Sequence, residues 1–154
     1  MRVKYFYTYN EFLQDLDFIE KEIKHHSPDT LLAIARGGMT LGHFLAERLE
    51  TREIYTLNAV SYENDRKIGK PKIFNIPDLS GKKKVLLLDD ISDSGETLYE
   101  VKEVLKQKYP HLEIISATIL YKDKTKIIPE IHVKKTDKWI VFFWDKEGQL
   151  QIKE

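Results

Sequence analysis

Residues 84–99 contain the feature that most constrains the fold, an apolar run that ends in two acidic residues. The run from Val85 to Leu88 does not alternate with polar residues, which is typical of a strand covered on both faces, as in a parallel sheet. Asp89 and Asp90, the acid pair, end the run, and a polar loop containing Gly95 follows. Helical spacing then begins, with apolar residues at Leu98, Val101, Val104 and Leu105. The segment therefore predicts a strand, a loop and a helix in succession.

The junction between this strand and this helix has the geometry of an anion-binding site. Backbone N–H groups in the first turn of a helix lack partners within the helix, and the helix dipole adds positive charge there. Gly95 lets the backbone approach a ligand closely, and the hydroxyls of Ser92, Ser94 and Thr97 are further donors. Carboxylates at the end of the strand suit sugar hydroxyls, or a divalent metal ion carried by a phosphate. The loop is therefore predicted to hold a phosphate.

A second segment repeats the order of strand, short loop and helix. Leu31–Ala35 is another continuous apolar run, and Arg36, Gly37 and Gly38 form the loop after it. Helical spacing resumes with Leu41, Phe44, Leu45 and Leu49. The glycines permit close backbone approach and Arg36 adds a fixed positive charge. Alone, this loop is equally compatible with a flexible turn, but beside the first loop it predicts a second anion-binding site.

Composition narrows the class of protein. The 154 residues suit one domain, 1–154, and 42% hydrophobic with 32% charged residues indicate a globular protein. The 25 basic and 25 acidic residues cancel, so no strong field favours nucleic acid as a partner. There is no cysteine to form a disulfide or a thiolate metal site. The N-terminus lacks a signal-peptide core and no apolar run suits a bilayer, so a cytoplasmic protein without a membrane partner is expected.

The remaining chain alternates between predicted helices and strands. Asn10 is a candidate N-cap for a first helix that ends before Pro28. A basic polar segment at 63–72 predicts a loop, and the polar tail after Glu147 is expected to fray. Strands are predicted at 53–62, 72–76, 113–121 and 131–133, and the helix after Thr97 is expected to end near Tyr109. This alternation is typical of an α/β domain.

Taken together, the two loops resemble those of the type I phosphoribosyltransferases. Residues 85–97 match the family's signature for phosphoribosyl pyrophosphate (PRPP), with Ser94 where threonine is commoner. The run from Ala35 to Gly42 resembles the pyrophosphate loop of the purine-salvage members, which often contains a non-proline cis peptide. The resemblance covers roughly residues 30–146. It implies the type I phosphoribosyltransferase fold, a mostly parallel central sheet flanked by helices, with a small hood from residues 1–9 and 122–146 and a flexible flap at 63–72.

The resemblance also implies roles for residues of the two loops. Arg36 would stabilise the departing pyrophosphate, and Asp93 would accept the proton from N7 of a purine. Mg²⁺ is the implied cofactor, with Asp90 and Asp89 as its ligands. Lys70 would reach PRPP from the flap, where Arg66, Lys67 and Lys72 are further candidates. The implied PRPP-binding set is Arg36, Gly37, Gly38, Asp89, Asp90, Asp93, Ser94, Gly95, Glu96, Thr97 and Lys70.

The C-terminal third resembles the purine-binding segment of bacterial xanthine-guanine phosphoribosyltransferases. Lys122, just past a predicted strand, would donate to the 6-oxo group of the base. Trp139 would stack on the purine ring, and Ile140 and Asp145 would lie near its C2 substituent. The alternatives are that Lys122 is a surface residue and that Trp139 is a core ring like its aromatic neighbours. The basic residues of 63–72 could likewise be a solvated hairpin.

The predicted function is purine salvage. Such an enzyme transfers the 5-phosphoribosyl group of PRPP to N9 of guanine, xanthine or hypoxanthine and releases pyrophosphate. A homodimer or homotetramer is implied by the resemblance. Two alternatives remain open, a PRPP- or nucleotide-sensing regulator of the same fold and a phosphoribosyltransferase for another base. A PRPP synthetase is disfavoured because the chain is short and has no ATP-binding segment.

Overall fold

The structure is a computed structural model that describes residues 3–61 and 70–151. Strands and helices alternate along the chain, as expected for an α/β protein. Their bounds are β1 (Lys4–Tyr7), α1 (Tyr9–His26), β2 (Thr30–Ala35), α2 (Met39–Arg48), β3 (Ile54–Val60), β4 (Lys72–Phe74), β5 (Lys84–Leu88), β6 (Ile91–Ser92), α3 (Glu96–Lys108), β7 (Glu113–Ala117), β8 (Leu120–Tyr121), β9 (Lys134–Lys135), β10 (Trp139–Phe142) and α4 (Lys146–Gln151).

The central sheet contains five strands in the order β4-β3-β2-β5-β7. All neighbouring pairs are parallel except β3 with the edge strand β4, which is antiparallel. The apolar runs of β2 and β5 lie side by side at the centre of this sheet, with Ala33 opposite Leu88. Both runs are buried, because helices cover the two faces of the sheet. The predicted α/β fold with a mostly parallel sheet is confirmed.

Two hydrophobic clusters form the core, one on each face of the sheet. Helices α1 and α2 cover one face, where Phe12, Leu16 and Leu45 are fully buried. Helix α3 covers the other face with Leu98, Val101 and Leu105. Alternate residues of β5 point into different clusters, Leu86 and Leu88 into the first and Val85 and Leu87 into the second. The unbroken apolar run of β5 is thus explained by burial on both sides.

Helix α1 begins earlier than the sequence pattern suggested. Its N-cap is Thr8, whose hydroxyl accepts a hydrogen bond from the Glu11 N–H at 3.2 Å, so the prediction of Asn10 is wrong. Thr8 and Glu11 have the spacing of a capping box, which favours a start at Tyr9. The helix ends at His26, before Pro28 as predicted, and Ser27 closes it in the left-handed conformation with φ 52°.

The smaller elements lie around the carboxyl edge of the central sheet. Strand β1 pairs in parallel with β10, and β6, β8 and β9 form a second small sheet. The strand expected at 131–133 is only a bridge from Ile131 to Ala117, followed by β9. Residues 148–151 of the tail, expected to fray, belong instead to α4, where a Cβ atom at Gly148 would lie 2.0 Å from the Phe142 carbonyl oxygen. The tail beyond Gln151 lies outside the described residues. A hood from 1–9 and 122–146 stays a prediction, although β1 and β10 join its two parts.

None of the helices in the described ranges is both long and apolar enough to cross a bilayer. The expected strand at 53–62 ends at Val60, and the one at 72–76 ends at Phe74. Most of the predicted flap, including Arg66 and Lys67, lies outside the described residues.

Candidate active site

The two predicted loops meet at the carboxyl edge of the sheet. We call residues 36–38 the arginine loop and residues 89–97 the phosphate loop. A Cβ atom added to Gly38 would lie 2.2 Å from the carbonyl oxygen of Leu88, so the backbone of the arginine loop rests on the end of β5. A Cβ atom at Gly37 would lie 2.6 Å from Asp89 Oδ1 and 2.9 Å from Asp90 Oδ1. Both loops therefore border one site.

The arginine loop is shaped by its own backbone bonds. The Gly38 N–H donates to the Ile34 carbonyl at 2.8 Å, and the Met39 N–H donates to the Arg36 carbonyl at 3.0 Å. The peptide bond between Ala35 and Arg36 is cis. Within residues 3–61 and 70–151, no hydrogen bond or ion pair engages the exposed Arg36 guanidinium. A cation at this position can bind an anion without first breaking an internal ion pair.

The acid pair is costly to ionise. Each carboxylate accepts, through Oδ1, the N–H of the next residue, at 2.9 Å for Asp89 and 2.8 Å for Asp90. Burial raises the pKa of Asp89 well above its usual range, and the charge of Asp90 raises it further. Burial also raises the pKa of Asp90, and the negative charge of Asp145 adds to this. Hydrogen-bond donors or a cation would stabilise the charged pair, so the site favours a diol or a metal ion.

A divalent cation is compatible with these side chains. Among the described residues, no group of three or more His, Cys, Asp or Glu side chains is placed to bind a metal. In the part of the chain that the structure describes, the acid pair is the candidate ligand set, and the remaining ligands would come from water and substrate. Mg²⁺ usually binds in this way, with one or two carboxylates, several waters and substrate phosphates. The donor set of Asp89 and Asp90 fits the predicted Mg²⁺.

The phosphate loop leads directly into helix α3. Gly95 is its N-cap, with φ 83°, a conformation that side chains rarely adopt. Its neighbour Ser94 is exposed and accepts the Glu96 N–H at 3.3 Å, and Thr97 is half-buried in the first turn. Ser92, expected to face the ligand, is instead buried at 3% exposure and donates to the Ile127 carbonyl. The donors left for an anion are the hydroxyls at 94 and 97 and the backbone of the first turn.

Asp93 lies between two lysines. Its carboxylate is 3.3 Å from Lys122 Nζ and 3.1 Å from Lys124 Nζ. Partial burial acts to raise the pKa of Asp93, but the ammonium groups of Lys124 and Lys122 outweigh it and hold the pKa below its ordinary value. Asp93 is therefore charged at neutral pH and can accept a proton or a hydrogen bond.

Lys122 also links Asp93 to an aromatic surface. Its Nζ atom is 5.9 Å from the centre of the Trp139 ring, and the Trp139 side chain is 42% exposed. Around them lies an open cavity of about 540 Å³, large enough for a nucleobase, lined by Val3, Lys122, Asp123, Lys124, Thr136, Asp137, Lys138 and Trp139. Lys122 is thus a largely buried lysine paired with Asp93 rather than a solvated surface residue, and its role at the base stays a prediction. The structure brings Asp93, Lys122 and Trp139 together, as the sequence predicted.

The other aromatic residues of the C-terminal segment belong to the core. Trp144 stacks on Phe142 with ring centres 4.6 Å apart and meets Phe12 edge-on at 5.3 Å. Ile140 pairs with Tyr5 in the two-stranded sheet and is half-buried. Asp145 closes a tight turn, accepting the N–H of Phe142 at 2.9 Å. The negative charge of Asp145 also contributes to the raised pKa of Asp90.

The contacts of the two loops differ from the predicted ones at three residues. Lys70 is exposed at the start of the segment leading to β4 and makes no hydrogen bond or ion pair with either loop within the described ranges. Lys124 and Thr125 were not predicted, although both touch the phosphate loop. The only signal in the sequence is the basic run around Lys122, which a solvated turn would explain equally well.

These features define a class of protein. A parallel α/β sheet carries, at its carboxyl edge, an arginine loop, a buried acid pair and a glycine-led helix start, which together suit a phosphorylated sugar. Residues 4–149 match the phosphoribosyl transferase domain, and the chain belongs to this family. The family predicted from the two loops is therefore confirmed.

Three individual proteins are similar to this chain over most of its length. The chain is 31% identical over 121 residues to a xanthine-guanine phosphoribosyltransferase of Desulfotalea psychrophila, an alignment that covers 77% of this chain and 71% of the relative. A solved Helicobacter pylori xanthine-guanine-hypoxanthine phosphoribosyltransferase superposes with a TM-score of 0.88 at 34% identity, covering 98% of this chain and 99% of that one. A hypothetical protein from Neisseria gonorrhoeae with bound ppGpp superposes with a TM-score of 0.71 at 25% identity, covering 97% and 94%.

Proposed function

We propose that this protein is a purine salvage enzyme that transfers the 5-phosphoribosyl group of PRPP to N9 of a 6-oxopurine and releases pyrophosphate. The observation that carries the proposal is the position of Lys122, whose ammonium group lies between the Asp93 carboxylate and the exposed Trp139 ring. If a planar base stacked on the indole of Trp139, Lys122 could donate a hydrogen bond to O6 of the base and Asp93 could accept one from its N7–H on the same side. The names of the relatives support the same substrate class.

The phosphoribosyl group would lie across the two loops. Backbone N–H groups at the start of α3, with the hydroxyls of Ser94 and Thr97, would hold the 5′-phosphate. The acid pair would accept hydrogen bonds from the ribose hydroxyls, which relieves the cost of keeping two buried carboxylates charged. Mg²⁺, when bound at the acid pair, would neutralise charge on the pyrophosphate. Gly37 leaves room for these ligands beside Asp89.

Departure of pyrophosphate would be assisted by the arginine loop. As the C1–O bond of the ribose breaks, negative charge accumulates on the leaving group and positive charge on the ribose. Among the described residues no partner engages the guanidinium of Arg36, so it would be free to follow the developing charge. The backbone at Gly37 and Gly38 would let the diphosphate come close to the loop.

The purine would be activated by Asp93 and Lys122. As N9 attacks C1 of the ribose, N7–H becomes more acidic and Asp93 would take its proton. Lys122 would move from Asp93 to O6 of the bound base and stabilise charge there. Lys124 would remain beside Asp93 and keep it ionised until the proton arrives. Positioned general bases contribute typically ~10²–10⁴-fold to rate.

The choice among guanine, xanthine and hypoxanthine would depend on groups near C2 of the base. Ile140 follows Trp139 in β10, and Asp145 lies at the end of the next turn. We propose that these two residues face the C2 substituent, directly or through water. Cytoplasmic location and assembly into a homodimer or homotetramer are part of the same proposal.

A nucleotide-sensing regulator is the second candidate. The similarity to the Neisseria gonorrhoeae protein with bound ppGpp favours it, because a guanine nucleotide presents the same base and phosphate groups as the proposed product. A regulator would bind a nucleotide without turnover. Activity, rather than binding, therefore separates the two candidates.

The deciding experiment offers each nucleobase separately with PRPP and Mg²⁺ and measures both pyrophosphate and nucleoside monophosphate. We expect turnover with at least one 6-oxopurine and none with adenine or pyrimidines. Removing Mg²⁺ with a chelator should abolish pyrophosphate release, and added Mg²⁺ should restore it. Tight nucleotide binding without turnover of any base would favour the regulator, and turnover of adenine instead would refute the roles given to Lys122.

A further inference from the structure

A short lysine-rich loop docks along the phosphate loop. We call residues Lys122–Ile127 the lysine loop; it follows β8, which runs parallel to β6. The Lys122 N–H donates to the Ser92 carbonyl at 3.0 Å, and the Lys126 N–H donates to the Ser94 carbonyl at 2.9 Å. These two bonds lie on either side of Asp93. The lysine loop therefore follows the backbone of the proposed 5′-phosphate site.

Two hydroxyl groups form the buried part of this contact. Ser92 Oγ is 2.7 Å from Thr125 Oγ1, and each hydroxyl also reaches the Ile127 carbonyl, at 3.1 Å and 3.0 Å respectively. The two hydroxyl groups have two protons for these three close contacts. One hydroxyl therefore donates to the second hydroxyl, and the second hydroxyl donates to the Ile127 carbonyl. Because Ser92 is 3% exposed, a lost partner here cannot readily be replaced by water.

Thr125 touches the phosphate loop at a second point. A Cβ atom at Gly95 would lie 2.5 Å from Thr125 Oγ1 and 2.9 Å from the Lys126 nitrogen. The threonine hydroxyl therefore lies directly against the glycine that begins α3. One side chain contacts the loop both before and after Asp93.

The ion pairs between the two loops are weaker links. Lys124 pairs with Asp93 at 3.1 Å and Lys126 pairs with Glu96 at 3.4 Å, but these lysine side chains are 64% and 40% exposed. Exposed pairs of this kind are screened by water and contribute little to holding a geometry. The backbone hydrogen bonds and the buried hydroxyls, rather than these exposed charges, connect the loops.

We propose that Thr125 is a positioning residue that fixes the distance between the purine site and the 5′-phosphate site. The proposal rests on the proposed function, because it takes Lys122 as the contact to the base. Lys122 and Thr125 belong to the same short loop, so a contact that holds Thr125 on Ser92 and Gly95 also places Lys122. Aligning N9 of the purine with C1 of the ribose requires both halves of the site to be in register.

The test compares Thr125→Val, which removes the hydroxyl and keeps the shape, with Thr125→Ser, which keeps the hydroxyl. For both variants, kcat and the KM values for guanine and PRPP are measured. The affinities for guanine, ribose 5-phosphate and guanosine monophosphate are measured separately. Thr8→Val is the matched control, because it removes a threonine hydroxyl from the cap of α1 and leaves the phosphate loop unchanged.

We expect Thr125→Val to lower kcat about tenfold with both KM values changed less than about twofold, a loss of alignment rather than of binding. The nucleotide should bind about tenfold more weakly, while guanine and ribose 5-phosphate alone bind as in the wild type. Thr125→Ser should recover most of the rate. Thr8→Val should lower the melting temperature and leave the kinetics unchanged.

Other outcomes overturn the proposal. If Thr125→Val loses thermal stability like Thr8→Val but keeps wild-type kcat and nucleotide affinity, Thr125 is only structural. If Thr125→Val does not fold, Ser92→Ala removes the other hydroxyl and should give the same kinetic pattern; wild-type kinetics there would also refute the coupling. If the wild type transfers no phosphoribosyl group, the proposed function fails, and the nucleotide affinities still decide the role of Thr125.

Discussion

Replacement of Trp139 by alanine should weaken purine binding without unfolding the protein. Trp139 begins β10, is 42% exposed and lies 5.9 Å from Lys122 Nζ. Trp144 provides an internal comparison, because it is the same residue type in the same segment but stacks on Phe142 with ring centres 4.6 Å apart. In the proposed function Trp139 would bind the base, whereas Trp144 packs against the core.

The two alanine substitutions should change different quantities, purine affinity at Trp139 and the free energy of unfolding at Trp144. Stacking of a base on an aromatic side chain contributes about 1–3 kcal/mol, so Trp139→Ala should weaken purine binding by roughly 5- to 150-fold. Truncating a buried tryptophan typically costs about 3–5 kcal/mol of stability. Trp144 is half-buried and meets Phe142, Phe143, Tyr7 and Phe12, so Trp144→Ala should reduce the free energy of unfolding by an amount near the lower end of that range.

The assay pairs purine KM with urea unfolding for both variants. Trp139→Ala should raise the purine KM, leave the PRPP KM unchanged and shift the urea midpoint little. Trp139→Phe, which keeps a smaller stacking surface, should give an intermediate purine KM. If Trp139→Ala is destabilised as much as Trp144→Ala while its folded fraction keeps wild-type purine KM, the ring at 139 is a packing residue and the proposed base site is wrong.

Three further predictions test other parts of the site and the fold. Asp93→Asn should lower kcat by ~10²-fold with little change in PRPP affinity, measured by steady-state kinetics; unchanged turnover would remove the base role. Gly38→Ala should cost roughly 1–3 kcal/mol or more in urea unfolding, because its Cβ would lie 2.2 Å from the Leu88 carbonyl, and wild-type stability would contradict this contact. Burial acts to raise the pKa of Glu130, but hydrogen bonds from Lys102 and a serine outweigh it and lower the pKa. The charged form therefore stabilises the fold above the unfolded-state pKa of about 4.3, and this stability is lost as pH falls through the lower folded-state pKa. Glu130→Gln should thus flatten the acid side of the stability curve measured by thermal melting, and an unchanged curve would refute the linkage.

Local patterns in the sequence predicted the central elements correctly. The apolar run of β5 is unbroken because both faces of the strand are buried, and the apolar residues of α3 recur at helical spacing because one face of the helix is buried. Patterns of this kind can be read directly from the sequence. The predicted helix start near Thr97 falls at Glu96, one residue away. The capping box of Thr8 and Glu11 is present in the sequence, but Asn10 is an equally good cap residue, so local residue type does not separate the two positions.

Contacts between distant segments were not predictable in the same way. The docking of the lysine loop depends on a hydrogen bond between Ser92 and Thr125, which are far apart in the sequence and have no periodic pattern. Helix α4 is short and polar, so its stability comes from contact with β10 and not from helix propensity. In both cases the deciding interaction is tertiary, and composition alone favours a solvated turn or a frayed end.

The glycines of the arginine loop show why two separate loops act as one site. Because Ala33 lies opposite Leu88, β2 extends two residues, to Ala35, beyond the end of β5 at the same edge of the sheet. At Gly38 a side chain would meet backbone, the Leu88 carbonyl, which cannot move without separating the loop from β5. At Gly37 a side chain would instead meet the carboxylates of the acid pair, which can rotate but would then lose their arrangement toward a ligand. Gly38 is therefore required by the fold, and in the proposed function Gly37 would be required by the chemistry. This difference would let a three-residue loop hold the site together and still leave room for a diphosphate.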